Sequence, residues 1–304
     1  MEMGTPVSKL FVSFTMHLSP LGMKLDPKVM QILSLPTGSS VLKAETSSRR
    51  RYGVPIGGPA DADSYFWANL LAAKPTFICE LTEGSAEFTV DQSKTVALVG
   101  GARRLFINGL ERPTHRAERV TNGDRILIEA VPGRGALAYF ACTSSPRIPT
   151  SLNAPVIPAS GVIRVLPGPD SDPNSLQHLL DKRFLVSPRS NRMGTRLKGD
   201  LIPPLGEVVS SPTCVGTVQL TNGGELIVIG PDGPTIGGYP RIAVVITADQ
   251  GGLFQRKIGE QVQFALVTLE QARLELSSME RYRKLWSNLA TDRDSSNPSD
   301  SKDS

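Results

Sequence analysis

Apolar positions along this chain fall in short runs punctuated by Gly, Pro, Asn and Asp, the rhythm of a strand-and-turn protein. Gln31 to Leu35, Phe77 to Leu81, Ala86 to Val90, Thr95 to Val99, Arg125 to Val131 and Ala136 to Cys142 read as strands. Leu105-Phe-Ile-Asn-Gly-Leu110 reads as a hairpin, because Asn-Gly tolerates the positive φ angles of a type I′ turn. One stretch breaks this rhythm. After the loop Gly53 to Pro59, Asp61 or Asp63 can accept the orphan N–H groups of a first helical turn, and a helix then runs to about Ala72.

The second half repeats the pattern. Val162 to Leu166, Thr217 to Leu220, Glu225 to Ile229, Ile242 to Thr247 and Gln261 to Val267 read as strands, with a short helix over Asn174 to Lys182. Thr268 and Gln271 form a capping box. Leu269, Ala272, Leu276, Met279 and Trp286 then mark one face of a C-terminal helix. The Pro/Ser-rich stretch Thr143 to Ser160 has no period and marks a boundary. The expected organisation is an extension over residues 1–30, a β domain over 31–160, a second over 161–286 with its C-terminal helix, and a disordered tail over 287–304. The halves also echo each other: Thr121-Asn-Gly-Asp-Arg-Ile-Leu-Ile resembles Thr221-Asn-Gly-Gly-Glu-Leu-Ile-Val.

Composition supports a turn-rich β fold, with 28 glycines and 24 prolines in 304 residues. Charge argues against nucleic acid. The formal charge is only +4, aromatics are 6%, and locally basic stretches are confined to Arg49 to Arg51 and Arg183 to Lys198. Three cysteines and three histidines stand isolated, without C-x-x-C or H-E-x-x-H spacing, so no metal site is expected. No apolar run reaches the ~18 residues of a membrane helix, and the N-terminal stretch lacks the basic start of a secretory signal. The expected location is the cytoplasm.

Candidate chemistry gathers in three segments. In Asp232 to Pro240, the pair Gly237-Gly238 removes two β-carbons, so a ligand or another backbone can approach, and Tyr239 adds a hydroxyl. A tight turn entering a buried strand would use the same residues. In Ser187 to Arg196, Arg192 and Arg196 carry forked donors suited to carboxylates, or to surface ion pairs. Asp249 and Gln255, around Gly251-Gly252, can orient a polar substrate or cap a turn. Walker-type phosphate loops, dinucleotide fingerprints and nucleophile elbows are missing, as is a biotin-attachment lysine motif.

Read in order, these segments resemble the allophanate hydrolase subunit 2 family, whose relatives include the 5-oxoprolinase C-subunit and the carboxyltransferase part of urea carboxylase. The second half carries Ser190-Asn-Arg-Met-Gly-Thr-Arg-Leu-Lys-Gly199, Gly216-Thr-Val-Gln219, Asp232 through Pro240, Ala248-Asp249 and Gln255 through Phe264. The first half carries Gly53-Val54-Pro55, Gly58 with Asp61, Ala68-Asn69-Leu70 and Glu80 with Gly84. Two family segments are replaced. Arg49 to Arg51 stands where a Q-D-x-G-R segment is usual, and Thr143 to Ser160 stands in place of a G-S-x-S-T loop.

The resemblance implies a mainly β protein with a few helices, built as two cyclophilin-like β-barrel domains in tandem. It implies a subunit of an ATP-dependent amide or lactam hydrolase complex, opening 5-oxoproline to glutamate. The complex would contain a subunit 1-type homologue and a third, lactam-family protein. ATP would serve the complex and no cofactor would bind this chain alone. A carboxyltransferase component using carboxybiotin on urea is one alternative; a non-catalytic partner-binding regulator, like the relative that antagonises a sporulation-kinase inhibitor, is another. The implied catalytic residues are Tyr239, Asp249 and Gln219. Arg192 or Arg196 would hold a carboxylate, and Thr235, Gly237, Gly238, Gln255, Asp61 and Asn69 would complete the substrate site.

Overall fold

The computed structural model of the chain describes residues 30–42, 49–73, 75–133, 135–143, 153–155, 161–206 and 208–295. The expected extension before residue 30, most of the Thr143 to Ser160 boundary and the final residues of the tail lie outside the described residues. The first half contains β1 (Gln31–Ser34), β2 (Ser40–Leu42), a 3-10 turn (Arg50–Tyr52), α1 (Ala62–Leu71), β3 (Phe77–Leu81), β4 (Ser85–Thr89), β5 (Lys94–Gly100), β6 (Arg103–Ile107), β7 (Leu110–Arg112), β8 (Ala117–Val120), β9 (Arg125–Ala130) and β10 (Ala138–Thr143). The second contains β11 (Ile163–Pro167), α2 (Pro173–Asp181), β12 (Arg183–Val186), β13 (Gly194–Lys198), β14 (Ser211–Pro212), β15 (Thr217–Leu220), β16 (Leu226–Ile229), β17 (Ile236–Gly237), β18 (Arg241–Val245), α3 (Thr247–Phe254), β19 (Gln261–Leu266) and α4 (Leu269–Ser295).

The first half forms two five-stranded antiparallel sheets, ordered β1-β4-β9-β6-β7 and β2-β3-β10-β5-β8. Their strands read differently because they bury different surfaces. β4 and β9 alternate, with Ala86, Phe88, Ile126 and Ile128 turned inward. β3 and β10 are buried at every residue, because α1 covers the outer face of their sheet. Trp67, Ala68 and Leu71 of α1 pack there against Ile78, Val99 and Tyr139. The type I′ hairpin is present: Asn108 and Gly109 have φ of 52° and 78°.

The second half closes into a seven-stranded barrel, β11-β18-β15-β16-β13-β12-β19. Parallel pairing of Ile163 with Phe264 joins β11 to β19. The two Thr-Asn-Gly segments make matching turns. Asp124 N–H bonds to Thr121 O and Gly224 N–H to Thr221 O, and each turn precedes a sheet-interior strand, β9 or β16.

Three features differ from the sequence reading. β18 stops at Val245, and Thr247 opens α3, a helix that the glycines Gly251 and Gly252 conceal. The basic stretch Arg183 to Lys198 holds two barrel strands, β12 and β13, with Phe184, Val186 and Leu197 facing the core. α4 runs on through Ser295 and does not end at Trp286, so residues 287–295 are helix, not tail. Its capping box is as expected: Gln271 N–H donates to Thr268 Oγ1 and Thr268 N–H to Gln271 Oε1. No helix among the described residues is long and apolar enough to cross a membrane.

Candidate functional site

The two halves meet along a seam of polar side chains, and three candidate residues, Asp61, Arg192 and Gln255, lie in it. Asp61 is the N-cap of α1. Its Oδ1 accepts from Asp63 N–H (3.0 Å) and Ser64 N–H (3.1 Å), satisfying the first turn. Its Oδ2 accepts from Ser64 Oγ (2.6 Å) and from Gln255 Nε2 (2.8 Å), which reaches across from the end of α3. Gln255 also exchanges two bonds with the Leu137 backbone, donating to its O (3.0 Å) and accepting from its N–H (2.9 Å).

Arg192 anchors the other side. Its guanidinium grips Asp232 Oδ2 through Nε (2.7 Å) and Oδ1 through Nη2 (3.0 Å), a bidentate pair. Nη2 also donates to Gly58 O (2.7 Å), and Nη1 donates to Glu80 Oε1. Burial works against charge on Arg192, but Asp232 and Glu80 outweigh it and hold its pKa above the ordinary guanidinium value. Glu80 Oε2 accepts from Ala60 N–H (2.9 Å) and Tyr139 OH (2.6 Å), and Tyr139 OH accepts from Asp61 N–H (2.7 Å). Burial first, and then the Glu80 and Asp61 charges, push the Tyr139 phenol well above its usual pKa. It therefore acts as a neutral hydrogen-bond relay.

A second group lies further along the same loop. From Asp232 the chain runs through Thr235 to Gly237, Gly238 and Tyr239. β17 pairs with β14 here, and Thr235 O accepts from Thr213 N–H (3.0 Å). A β-carbon on Gly237 would collide with the Gln219 amide, so the glycine makes room for that side chain. Gln219 is buried, with Nε2 3.5 Å from Tyr239 O. Gly238 is exposed, and so is Tyr239 at 39%. Arg50 crosses from the first half and donates to Thr213 O, which gives one member of the Arg49 to Arg51 run a place beside this loop.

The remaining candidates lie elsewhere. Asp249, in the first turn of α3, is bound by Arg164 through the backbone N–H (2.7 Å), Nε (3.0 Å) and Nη2 (2.7 Å), tying α3 to β11. Arg196 alternates with core residue Leu197 on β13 and so faces out of the barrel wall. Asn69 is half-buried on α1. Neither side chain bonds to the seam among the described residues. The described residues contain no cluster of His, Cys, Asp and Glu able to hold a metal ion.

Glu80 stood out only within the Glu80 to Gly84 motif, and Tyr139 not at all, because both sit inside continuous apolar strands. A charged residue within Phe77-Ile-Cys-Glu-Leu81 was the available signal, since such a group is buried only with partners.

Comparison with known proteins places this architecture. A family model described as carboxyltransferase domain, subdomain A and B, matches residues 52–155 and 143–266. The chain belongs to that carboxyltransferase-domain family. The 5-oxoprolinase C-subunit of Escherichia coli (strain K12) is 37% identical over 125 residues, covering 40% of this chain and 40% of that protein. Urea amidolyase of Saccharomyces cerevisiae is 25% identical over 291 residues, covering 73% of this chain and 16% of that protein. The crystal structure of the K. lactis urea amidolyase superposes with a TM-score of 0.73 at 20% identity, over 87% of this chain and 20% of that one, a likeness of fold. The chain thus spans less than half the length of the curated relatives it matches.

Proposed function

We propose that the chain is a cytoplasmic subunit of an ATP-dependent amide or lactam hydrolase complex of the 5-oxoprolinase type, active only with a subunit 1-type partner and a third, lactam-family protein. The observation that carries this reading is the 37% identity to the 5-oxoprolinase C-subunit. The Gly237-Gly238-Tyr239 loop supports it. Two adjacent glycines let a planar amide reach backbone N–H groups, and an exposed phenol stands beside them. Gln219 braces the loop from below. Arg192 serves the same loop indirectly, because it fixes Asp232 at the loop's start. In this reading another subunit of the complex binds the ATP.

The test is to assemble the chain with its two partner proteins and measure ATP-dependent release of glutamate from 5-oxoproline. Turnover is expected, and Tyr239→Phe should lower it at least tenfold, the scale of losing one positioned donor, with unchanged thermal stability. A stable complex without turnover would sink the hydrolase reading and favour a partner-binding role. A second reading, carboxyl transfer from carboxybiotin to urea, is favoured by the wider alignment with urea amidolyase. Urea-dependent loss of the carboxyl group from carboxybiotin in the presence of this chain would select it.

A further inference from the structure

Of the two arginines whose forks suit a carboxylate, one is already filled. Arg192 donates from Nε, Nη1 and Nη2 to Asp232, Glu80 and Gly58. Arg196 differs. Its backbone N–H and carbonyl are bonded to Ser190 and Ser187, but its half-buried guanidinium has no hydrogen bond or ion pair among the described residues. The two acids that bracket β16 are also taken. Arg189 holds Glu225 at 2.7 and 2.6 Å, and Arg192 holds Asp232. A half-buried guanidinium without an acid of its own is matched to one that arrives from outside.

Strand register lines Arg196 up with the glycine loop. Arg196 pairs with Ile227 across β13 and β16, and Ile227 pairs with Gln219 across β16 and β15. The next row, Leu197, Leu226 and Leu220, lies in the barrel core. Arg196, Ile227 and Gln219 therefore all face the outside of the wall, in one line. Two strand spacings, about 10 Å, separate its ends. Half-buried Ile227 makes an apolar floor between them. At the far end Gln219 is buried, yet its Oε1 accepts no bond among the described residues and its Nε2 has only Tyr239 O at 3.5 Å. Its amide lies against Gly237, with Gly238 and Tyr239 exposed beyond.

We propose that Arg196 anchors the carboxylate of a small cyclic amide acid. The ring lies across Ile227, and the amide meets Gln219 and the Gly237-Gly238-Tyr239 loop. Arg196 is then the residue that sets specificity. It separates amides that carry a carboxylate from neutral ones such as urea, whereas the loop receives both alike. The amide half of this placement rests on the function proposed for that loop; the anchor is tested apart from it.

NMR titration of the full chain with 5-oxoproline and with 5-oxoprolinamide, the same ring with its carboxylate neutralised, makes the test. 5-Oxoproline should bind at least about tenfold more tightly, the scale of one hydrogen-bonded charge. Arg196→Met should remove that preference, weakening 5-oxoproline and leaving the neutral ligand unchanged. Its melting temperature should hold, because the side chain faces out of the wall. Arg196→Lys should restore part of the preference, since the charge returns without the fork. Tyr239→Phe should weaken both ligands by the same factor. Equal binding of the two ligands, or a preference that survives Arg196→Met, would overturn the anchor and leave the loop's role standing. If Tyr239→Phe changes neither ligand while Arg196→Met still removes the preference, the anchor stands and the loop's role falls. A chain that binds neither ligand, alone or with its two partner proteins, overturns both. An Arg196→Met chain that still prefers 5-oxoproline but loses its subunit 1-type partner would assign the guanidinium to an acid of that partner instead.

Discussion

Gly251 and Gly252 stand side by side in α3, yet their neighbours treat them differently. A β-carbon on Gly251 would lie 2.8 Å from Asp61 Oδ1, whereas one on Gly252 meets nothing within 4 Å. Gly252→Ala should therefore raise stability by about 0.5–1 kcal/mol, the usual gain of alanine over glycine in a helix. Gly251→Ala should lower it by about 1–2 kcal/mol, because the methyl group pushes against a carboxylate held by both α1 and Gln255. Urea unfolding of the two variants checks this, and equal shifts of the same sign would refute it. At this scale the sequence was partly legible. Asp61 and Asp63 both suited the helix cap, and it is the Asp61 side chain that caps α1. Nothing local announced that Gln255, far along the chain, would complete its shell. Asp249 is a carboxylate that catalysis could use, but Arg164 occupies it.

Elements were legible where a pattern had one cause. β3, β5, β10, β15 and α1 lie within a residue or two of their expected bounds, because a fully buried strand or a capped helix shows in composition alone. α3 was not, since Gly251 serves close packing against Asp61 at the cost of helix propensity and Gly252 lowers that propensity further. β13 was not, since Gly-Thr-Arg-Leu-Lys reads as a polar loop until the barrel supplies its neighbours. The junction before β8 carries a pH dependence. His115 sits at φ 63°, with Gly100 N–H donating to Nε2 (3.3 Å) and Ala154 N–H donating to its backbone O (2.7 Å). Burial lowers its pKa below the usual 6.5. The fold thus favours the neutral ring. That contribution is fully present above about pH 6.5 and is lost as pH falls below it through the depressed folded value. The urea midpoint should drop between pH 7.5 and 5.5, and His115→Gln should flatten that slope. An unchanged slope would remove His115 as its source.

The seam decides how the molecule behaves as a whole. Gly57 N–H bonds Pro231 O, Arg192 binds Gly58 and Glu80, Gln255 binds Asp61, and Lys257 pairs with Glu83 (2.8 Å). Breaking a buried pair by removing one charge costs about 3–5 kcal/mol. Glu80→Gln keeps the shape and leaves Asp232 on Arg192, so a loss near about 3 kcal/mol is expected. Chemical denaturation followed by tryptophan fluorescence measures it, and a loss below about 1 kcal/mol would show that the seam does not depend on this charge. The family motifs foretold several seam residues. They could not foretell that Arg192 would be saturated by the protein's own carboxylates, because that depends on how the two halves face each other.

The barrel has one further consequence, which concerns synthesis. β19 lies between β11 and β12, so the last strand of the barrel is also the one that seals it. A nascent chain emerging from the ribosome holds two open strand edges until residues 261–266 arrive. Its second half therefore waits, sticky and unpaired, for its own final segment, and any product that ends sooner inherits those edges permanently.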